Sequence, residues 1–266
     1  MSNSPALSFA LPEAVIVSGA SSGLGDEICQ MLLSCGVATI GVDIAGPTHS
    51  LEGANGYTHI VGDVSEENTW KSAIQALTAG GHRSIGLVTS AAMLDVATLL
   101  DVSKKDIERS MNVNVIGTAL AMKAVLPLMI DAGKGAIVAV ASIAASFAEQ
   151  QLGVYAASKG AVRQLARTVA MDHARQGVRV NVLSPGPMMA GLFKRHLESA
   201  ADSQRFFDTR SARQPNGRIP EAREVASAAL FLLSEGAIAL NGADVTADGG
   251  LTASFDFRTG AEGASI

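Results

Sequence analysis

Seven short apolar runs, most of them separated by longer segments of helical period, leave this 266-residue chain few folds to adopt. The runs are Ala14 to Ser18, Ala38 to Val42, Thr58 to Gly62, Ile85 to Ser90, Gly135 to Ala141, Val178 to Leu183 and Asp244 to Ala247. Helical spacing of apolar residues marks about Gly23 to Cys35, Glu66 to Ala79, Lys104 to Ala132, Gly153 to Arg175 and Glu221 to Ser234, with Ser65 and Ser103 read as caps. Alternation of this kind is the signature of repeated strand-helix-strand units around a parallel sheet. We therefore expect an α/β fold in which a doubly wound sheet of about seven parallel strands carries helices on both faces. The length suits one core, so a single domain is expected over 1-266, with its core at about 14-252. Gly186 to Arg218 is too long for an ordinary connection and reads as a mobile substrate loop.

Charge and composition exclude several classes of function. Charged residues make up 17% and no run of about 18 uncharged apolar residues occurs, so no membrane partner is expected. Met1 to Pro12 has no Lys or Arg and too short an apolar stretch for a signal peptide, and a cytoplasmic location follows by default. The net charge is −5, with eight Asp or Glu and no Lys or Arg in the first 70 residues. That distribution offers no concentrated basic face, and no nucleic-acid partner is expected. Cys29 and Cys35 lack the spacing of metal ligands and read as core thiols; no metal is expected.

After the first apolar run comes Ser18-Gly19-Ala20-Ser21-Ser22-Gly23-Leu24-Gly25, a glycine series that opens a helix. Glycines there allow a sharp turn and a close backbone approach to a pyrophosphate, whose charge meets the positive end of the helix dipole. A bare structural turn would use the same residues. Asp43 ends the second run, where a dinucleotide fold meets the adenosine ribose. A carboxylate there accepts from both ribose hydroxyls and repels a 2′-phosphate, and no Lys or Arg precedes Lys71. NAD is the expected cofactor; the plainer alternative is that Asp43 merely caps a strand end. Asp63, followed by Val64, could accept from the adenine amino group or simply make a turn.

Further along, Ser142 is followed thirteen residues later by Tyr155 and four later again by Lys159. Positions i and i+4 share a helix face, so the ammonium can lie beside the phenol. A neighbouring cation favours the phenolate and makes Tyr155 a candidate base near neutral pH. Each residue alone has a plainer use, in packing, on a solvated face or as a cap.

Taken together, Ser142 and Tyr155-Ala156-Ala157-Ser158-Lys159 resemble the centre of the short-chain dehydrogenase/reductase family, and the glycine series lies at the matching distance upstream. The resemblance spans about residues 14 to 252. Met111-Asn112-Val113-Asn114-Val115-Ile116-Gly117 is similar to the family segment carrying an active-site Asn, here Asn114. Val180 to Gly186 resembles the strand and Pro-Gly turn beside the nicotinamide, and Ala247-Asp248-Gly249-Gly250 the closing strand motif. What the resemblance implies is a single-domain Rossmann-type fold and an NAD-dependent oxidoreductase that interconverts a secondary alcohol and a ketone. Asn114, Ser142, Tyr155 and Lys159 would be catalytic. Gly19, Ser21, Ser22, Gly23, Leu24, Gly25, Asp43, Asp63, Val64, Ser90, Ala91, Ala92, Tyr155, Lys159, Pro185, Gly186 and Met188 would hold the cofactor. It also implies a homo-oligomer, a tetramer or dimer, built through the two long helices and the last strand.

Three departures stand out. Ser18 replaces the family's usual Thr and keeps the hydroxyl. Thr89-Ser90-Ala91-Ala92 stands where Asn-Asn-Ala-Gly is common, so hydroxyls must replace amide hydrogen bonds in the central sheet. Ala190 occupies the place of a Thr that bonds the nicotinamide carboxamide, leaving cofactor orientation to backbone groups near Met188. The loop itself is mixed. Met188, Met189, Leu192, Phe193, Phe206 and Phe207 could line an apolar pocket for a cyclic alcohol or acyl chain; Lys194, Arg195, His196 and Arg205 could meet an anion. A 3-oxoacyl thioester reductase and a non-catalytic nucleotide-binding protein are the competing readings.

Overall fold

The computed structural model describes residues 9–253. Seven strands, β1 (Ala14–Ser18), β2 (Ala38–Asp43), β3 (Tyr57–Val61), β4 (Ile85–Thr89), β5 (Gly135–Val140), β6 (Val178–Pro185) and β7 (Asp244–Ala247), form one sheet. Their order is β3-β2-β1-β4-β5-β6-β7 and every pairing is parallel. The expected α/β fold and doubly wound sheet are what the structure shows.

The central strands β1 and β4 are buried at every position because both sheet faces are covered. Side chains of β1 alternate: Ala14 and Ile16 enter one core, Val15 and Val17 the other. The first core is roofed by α2 (Glu67–Ala79), α4 (Gly117–Asp131) and α5 (Gly153–His173), through Trp70, Leu77, Met122, Val125, Val162 and Ala166. On the opposite face α1 (Gly23–Ser34) and α8 (Ala222–Leu233) supply Ile28, Leu32, Val225 and Ala229.

Several local readings are corrected. Helix α2 starts one residue later than expected, with Glu66 at the N-cap, while the Ser65 hydroxyl donates to Asp63 Oδ1 at 2.7 Å instead of capping. Ser103 does cap α3 (Lys104–Met111), in a capping box with Asp106. Cys29 is buried, but Cys35 is exposed at the C-cap of α1. The single helix expected from Lys104 to Ala132 is broken by a π turn at Asn112–Ile116. This Lys104–Asp131 rod, with a mean hydropathy of 1.8 over its most apolar 18 residues, is long and apolar enough to cross a membrane by composition alone; here Ala121, Met122, Val125 and Met129 pack into the core. Finally, Gly186 to Arg218 holds two helices, α6 (Gly191–Ser199) and α7 (Ser203–Ala212), not an irregular loop.

The far end of the sheet depends on Arg179 of β6. Its guanidinium donates to the carbonyls of Leu232, Leu233, Ser234, Ala237 and Leu240 at 3.1–3.5 Å, closing the C-terminus of α8 and the turn after it. Those carbonyls have no helical donor, and the positive charge meets the negative end of the helix dipole. Arg179→Met is expected to cost about 3 kcal/mol, since it strips donors from partly buried acceptors. A melting experiment should show Tm lowered by roughly 6–12 °C for a chain of this size.

Candidate active site

In an open parallel sheet a crevice forms at the carboxyl ends of the strands where the winding reverses, here between β1 and β4. A cavity of about 710 Å3 lies there. Gly19, Ser22, Gly23, Leu24, Asp43, Asp63, Val64, Ser90, Ala91 and Ala92 line one end of it. Ser142, Tyr155, Lys159, Pro185, Gly186 and Met188 line the other. Of the residues singled out in the sequence, Ser21, Gly25 and Asn114 lie outside this lining and support it from behind.

Glycine is required twice in the turn after β1. Gly19 has φ +73°, and a Cβ there would stand 2.7 Å from the Ala91 nitrogen. A Cβ on Gly25 would meet the Gly19 carbonyl oxygen at 2.1 Å. The turn can therefore pass directly under β4, while the Gly19 and Ala20 amides donate to the Val42 carbonyl and Gly19, Ser22 and Gly23 line the cavity. The Ser18 hydroxyl accepts from the Ala91 amide at 3.2 Å, tying the two strand ends. Thr89 supplies no such tie: its hydroxyl is buried and has no hydrogen-bond partner among the described residues.

Asp43 is held before any ligand arrives. Its Oδ2 accepts from the Ser21 amide and its Oδ1 from the Ala45 amide, both at 3.0 Å. The Ala45 carbonyl accepts from the Ser21 hydroxyl at 3.1 Å and lies 2.8 Å from His59 Nε2, whose Nδ1 is 2.8 Å from the Tyr57 hydroxyl. Gly41 makes room for that tyrosine, since a Cβ there would stand 2.0 Å from its oxygen. Asp63 turns the chain by accepting from the Ser65 amide at 2.8 Å, and it lines the cavity as well.

At the other end, β5 delivers Ser142 and α5 delivers Tyr155 and Lys159. The Ser142 hydroxyl caps a 3₁₀ turn, Ile143–Ala145, by accepting from the Ala144 amide at 3.1 Å. Lys159 is 2% exposed, and its Nζ donates to the Val140 carbonyl at 2.8 Å and lies 5.8 Å from the centre of the Tyr155 ring. Burial in low dielectric lowers the Lys159 pKa to about 8. The same burial raises Tyr155 to about 12, partly offset by a hydrogen bond with Ser142 and reinforced by the Glu149 carboxylate. Asn114, fully buried in the π turn, donates to the Met93 carbonyl at 3.0 Å and the Ser158 hydroxyl at 2.9 Å and accepts from the Met93 amide at 2.7 Å. It thus locks the β4 edge to α5 one residue from Lys159.

The two helices after Pro185 cover this end. Met188, Leu192, Phe193, Phe206, Arg195 and His196 line the cavity, whereas Met189, Phe207, Lys194 and Arg205 do not. The sequence reading missed Glu149, Gln150, Gln151, Arg109 and Arg210, which all line it. No spacing marks those residues; only the fold brings 149–151 and 210 together.

The layout defines a class, the doubly wound α/β proteins with a ligand crevice at the switch point. Within that class the chain belongs to the short-chain dehydrogenase/reductase family. The family model that matches, over residues 19–252, is described as enoyl-(acyl carrier protein) reductase. The 2,5-dichloro-2,5-cyclohexadiene-1,4-diol dehydrogenase of Sphingobium indicum is 33% identical over 247 residues, covering 91% of this chain and 97% of that one. D-Threitol dehydrogenase of Mycolicibacterium smegmatis is 34% identical over 251 residues, covering 90% and 93%. Among solved structures, ligand-free aldohexose dehydrogenase of Thermoplasma acidophilum superposes with a TM-score of 0.86 at 29% identity, covering 94% and 98%.

The buried ammonium has a measurable cost. Its pKa falls from an ordinary 10.5 to about 8 on folding, so the unfolded chain binds the extra proton between those values. Stability is therefore reduced below pH 8 and recovers as pH rises through the window. Lys159→Met is expected to melt higher than the parent at pH 7, with the difference shrinking towards pH 10; a constant difference across that range would contradict the assignment.

Proposed function

We propose that this protein is an NAD-dependent oxidoreductase that interconverts a secondary alcohol and a ketone on a cyclic or otherwise apolar substrate, with Tyr155 as the acid/base. The observation that carries this is the buried Lys159 ammonium beside Tyr155, with Ser142 at hand, at the apolar end of a crevice whose other end is a glycine turn.

The crevice suits a dinucleotide. Its turn has no room for a Cβ at Gly19, the start of α1 faces the cavity, and Asp43 is already oriented, with lone pairs left for two ribose hydroxyls. The nicotinamide, when bound, supplies the hydride acceptor or donor. In oxidation Ser142 holds the substrate oxygen with a hydrogen bond that strengthens as charge develops, and Tyr155 takes its proton. Tyr155 is a neutral phenol in the free protein because burial keeps its pKa high. In oxidation it must therefore first give its own proton to solvent, a loss that the positive charges of Lys159 and of the oxidised nicotinamide would favour, before it can take one from the substrate. Lys159, with one hydrogen on Val140, has two left to stabilise the phenolate and hold the nicotinamide ribose. Asn114 acts on Lys159 through its bond to Ser158, and its main-chain carbonyl, which accepts from Thr118 at 2.8 Å, keeps a lone pair for a relay water.

A 3-oxoacyl thioester reductase would use the same centre. The diol and alditol named for the two relatives favour an alcohol instead.

Tyr155→Phe preserves the ring and removes the proton; kcat is expected to fall by about 10³-fold while NADH binding, read by dihydronicotinamide fluorescence, stays within about twofold. NAD should exceed NADP in kcat/KM by at least about a hundredfold, because Asp43 opposes a 2′-phosphate. Equal efficiency with both would remove Asp43 from its role.

A further inference from the structure

The geometry points to a substrate with a second hydroxyl group, received by the Glu149–Arg210 ion pair in the wall of the crevice while Ser142 and Tyr155 hold the reacting one. This rests on the alcohol oxidoreductase reading above and names the substrate class.

Leu94, Val96, Leu152 and Phe193 give the substrate end of the cavity an apolar stretch, bordered by the polar Gln150, Gln151 and His196. Into that surface the structure sets a carboxylate and a guanidinium 2.7 Å apart, one on the segment before α5 and one on α7. Neither is a loose surface side chain. The Arg210 guanidinium lies 5.2 Å from the centre of the Phe206 ring, and that ring packs on Phe193 and His196 at 5.7 and 4.9 Å. Glu149 belongs to a segment under backbone strain: Gln151, two residues on, has φ +65°, the one non-glycine residue with positive φ among those described. Its carbonyl accepts from the Ala97 amide at 2.9 Å, which pins the strained turn against the other wall. Strain of this kind persists only where the surroundings enforce it, and here it holds the Glu149 segment against the cavity.

The chemistry of the pair selects its ligand. A hydrocarbon group pressed against it would strip water from both ions and return nothing. An anion would face Glu149, and a cation Arg210. A neutral hydroxyl fits both: it donates to a carboxylate oxygen and accepts from a guanidinium N–H. The ring or chain between the two hydroxyls then lies on the apolar wall. Two further guanidinium groups line the cavity: Arg109 is occupied by Asp95 at 3.1 Å, and Arg195 stands on α6. With side-chain exposures of 30% and 38%, Arg210 and Glu149 stand at the mouth, so discrimination should fall well short of the 10⁴-fold or more of a fully buried hydroxyl site.

The test compares NAD-linked and NADP-linked oxidation of cyclohexanol, cis- and trans-cyclohexane-1,2-diol, cyclohexane-1,4-diol, butan-2-ol, butane-2,3-diol and 4-hydroxycyclohexanecarboxylate. The best diol is expected to exceed its matching mono-alcohol in kcat/KM by about 10- to 100-fold, mainly through KM. In Glu149→Ala and in Arg210→Leu, each checked by circular dichroism for a native fold, that ratio should drop at least fivefold. Mono-alcohols used as well as diols, a preference for the hydroxycarboxylate, or a ratio unmoved in both folded variants would each overturn the proposal and leave the oxidoreductase reading standing. Turnover of no compound with either cofactor would overturn both.

Discussion

The site is organised around an ammonium group with almost no water. Lys159 is among the largest fully buried side chains of the chain, and a single carbonyl, that of Val140 at the end of β5, receives its proton. A charge in that position draws everything else into place. It fixes how α5 lies against β5, because moving the helix by one turn would carry the nitrogen away from the Val140 carbonyl. It sets the Tyr155 ring beside it, and it gives the Asn114–Ser158 contact a purpose as the brace on the neighbouring residue. A buried cation is costly by itself. Such a cost is retained where chemistry requires the charge.

The crevice is formed by two chain segments that approach each other closely for different reasons. On the side of the glycine turn, contact is between backbones, with Gly19 against Ala91 and Gly25 against Gly19, so side chains are excluded from the turn. On the substrate side, contact is between side chains of α6, α7 and the 149–152 segment, where aromatic rings and an ion pair fill the space. A backbone-to-backbone wall recognises what is common to a class of ligand. A side-chain wall can be rewritten residue by residue, and this difference in material separates the end we propose for the cofactor from the end we propose for the substrate.

Much of this was legible in the sequence. Strands buried on both faces leave uninterrupted apolar runs, and all seven appeared within a residue or two. Tyr155 and Lys159 could be paired because helix geometry converts a spacing of four into adjacency. Other features were hidden for physical reasons. Glu149 and Arg210 are 61 positions apart in the chain and meet only through tertiary structure. Helices α6 and α7 are short and on average polar, and α7 carries little periodic signal. Ser65 looked like a cap, but its hydroxyl found a nearer acceptor in Asp63. Thr89 was read as replacing an amide's hydrogen bonds, yet a strand-end hydroxyl is too short to reach what an amide reaches, and its oxygen is left without a partner among the described residues.

The π turn at Asn112–Ile116 shows how local geometry and chemistry meet in one helix. One extra residue in a helical turn rotates everything downstream by about 100°. The Lys104–Met111 stretch and the Gly117–Asp131 stretch are therefore written in different reading frames, although they form one continuous rod. Asn114 sits at the frame boundary and faces inward, while Thr118, Ala121, Met122 and Val125 beyond it keep their register with the sheet. Removing one residue between 112 and 116 would close the turn into regular helix: the side chains on either side would keep their faces, and what would be lost is the boundary itself, the place from which Asn114 reaches both Met93 and Ser158.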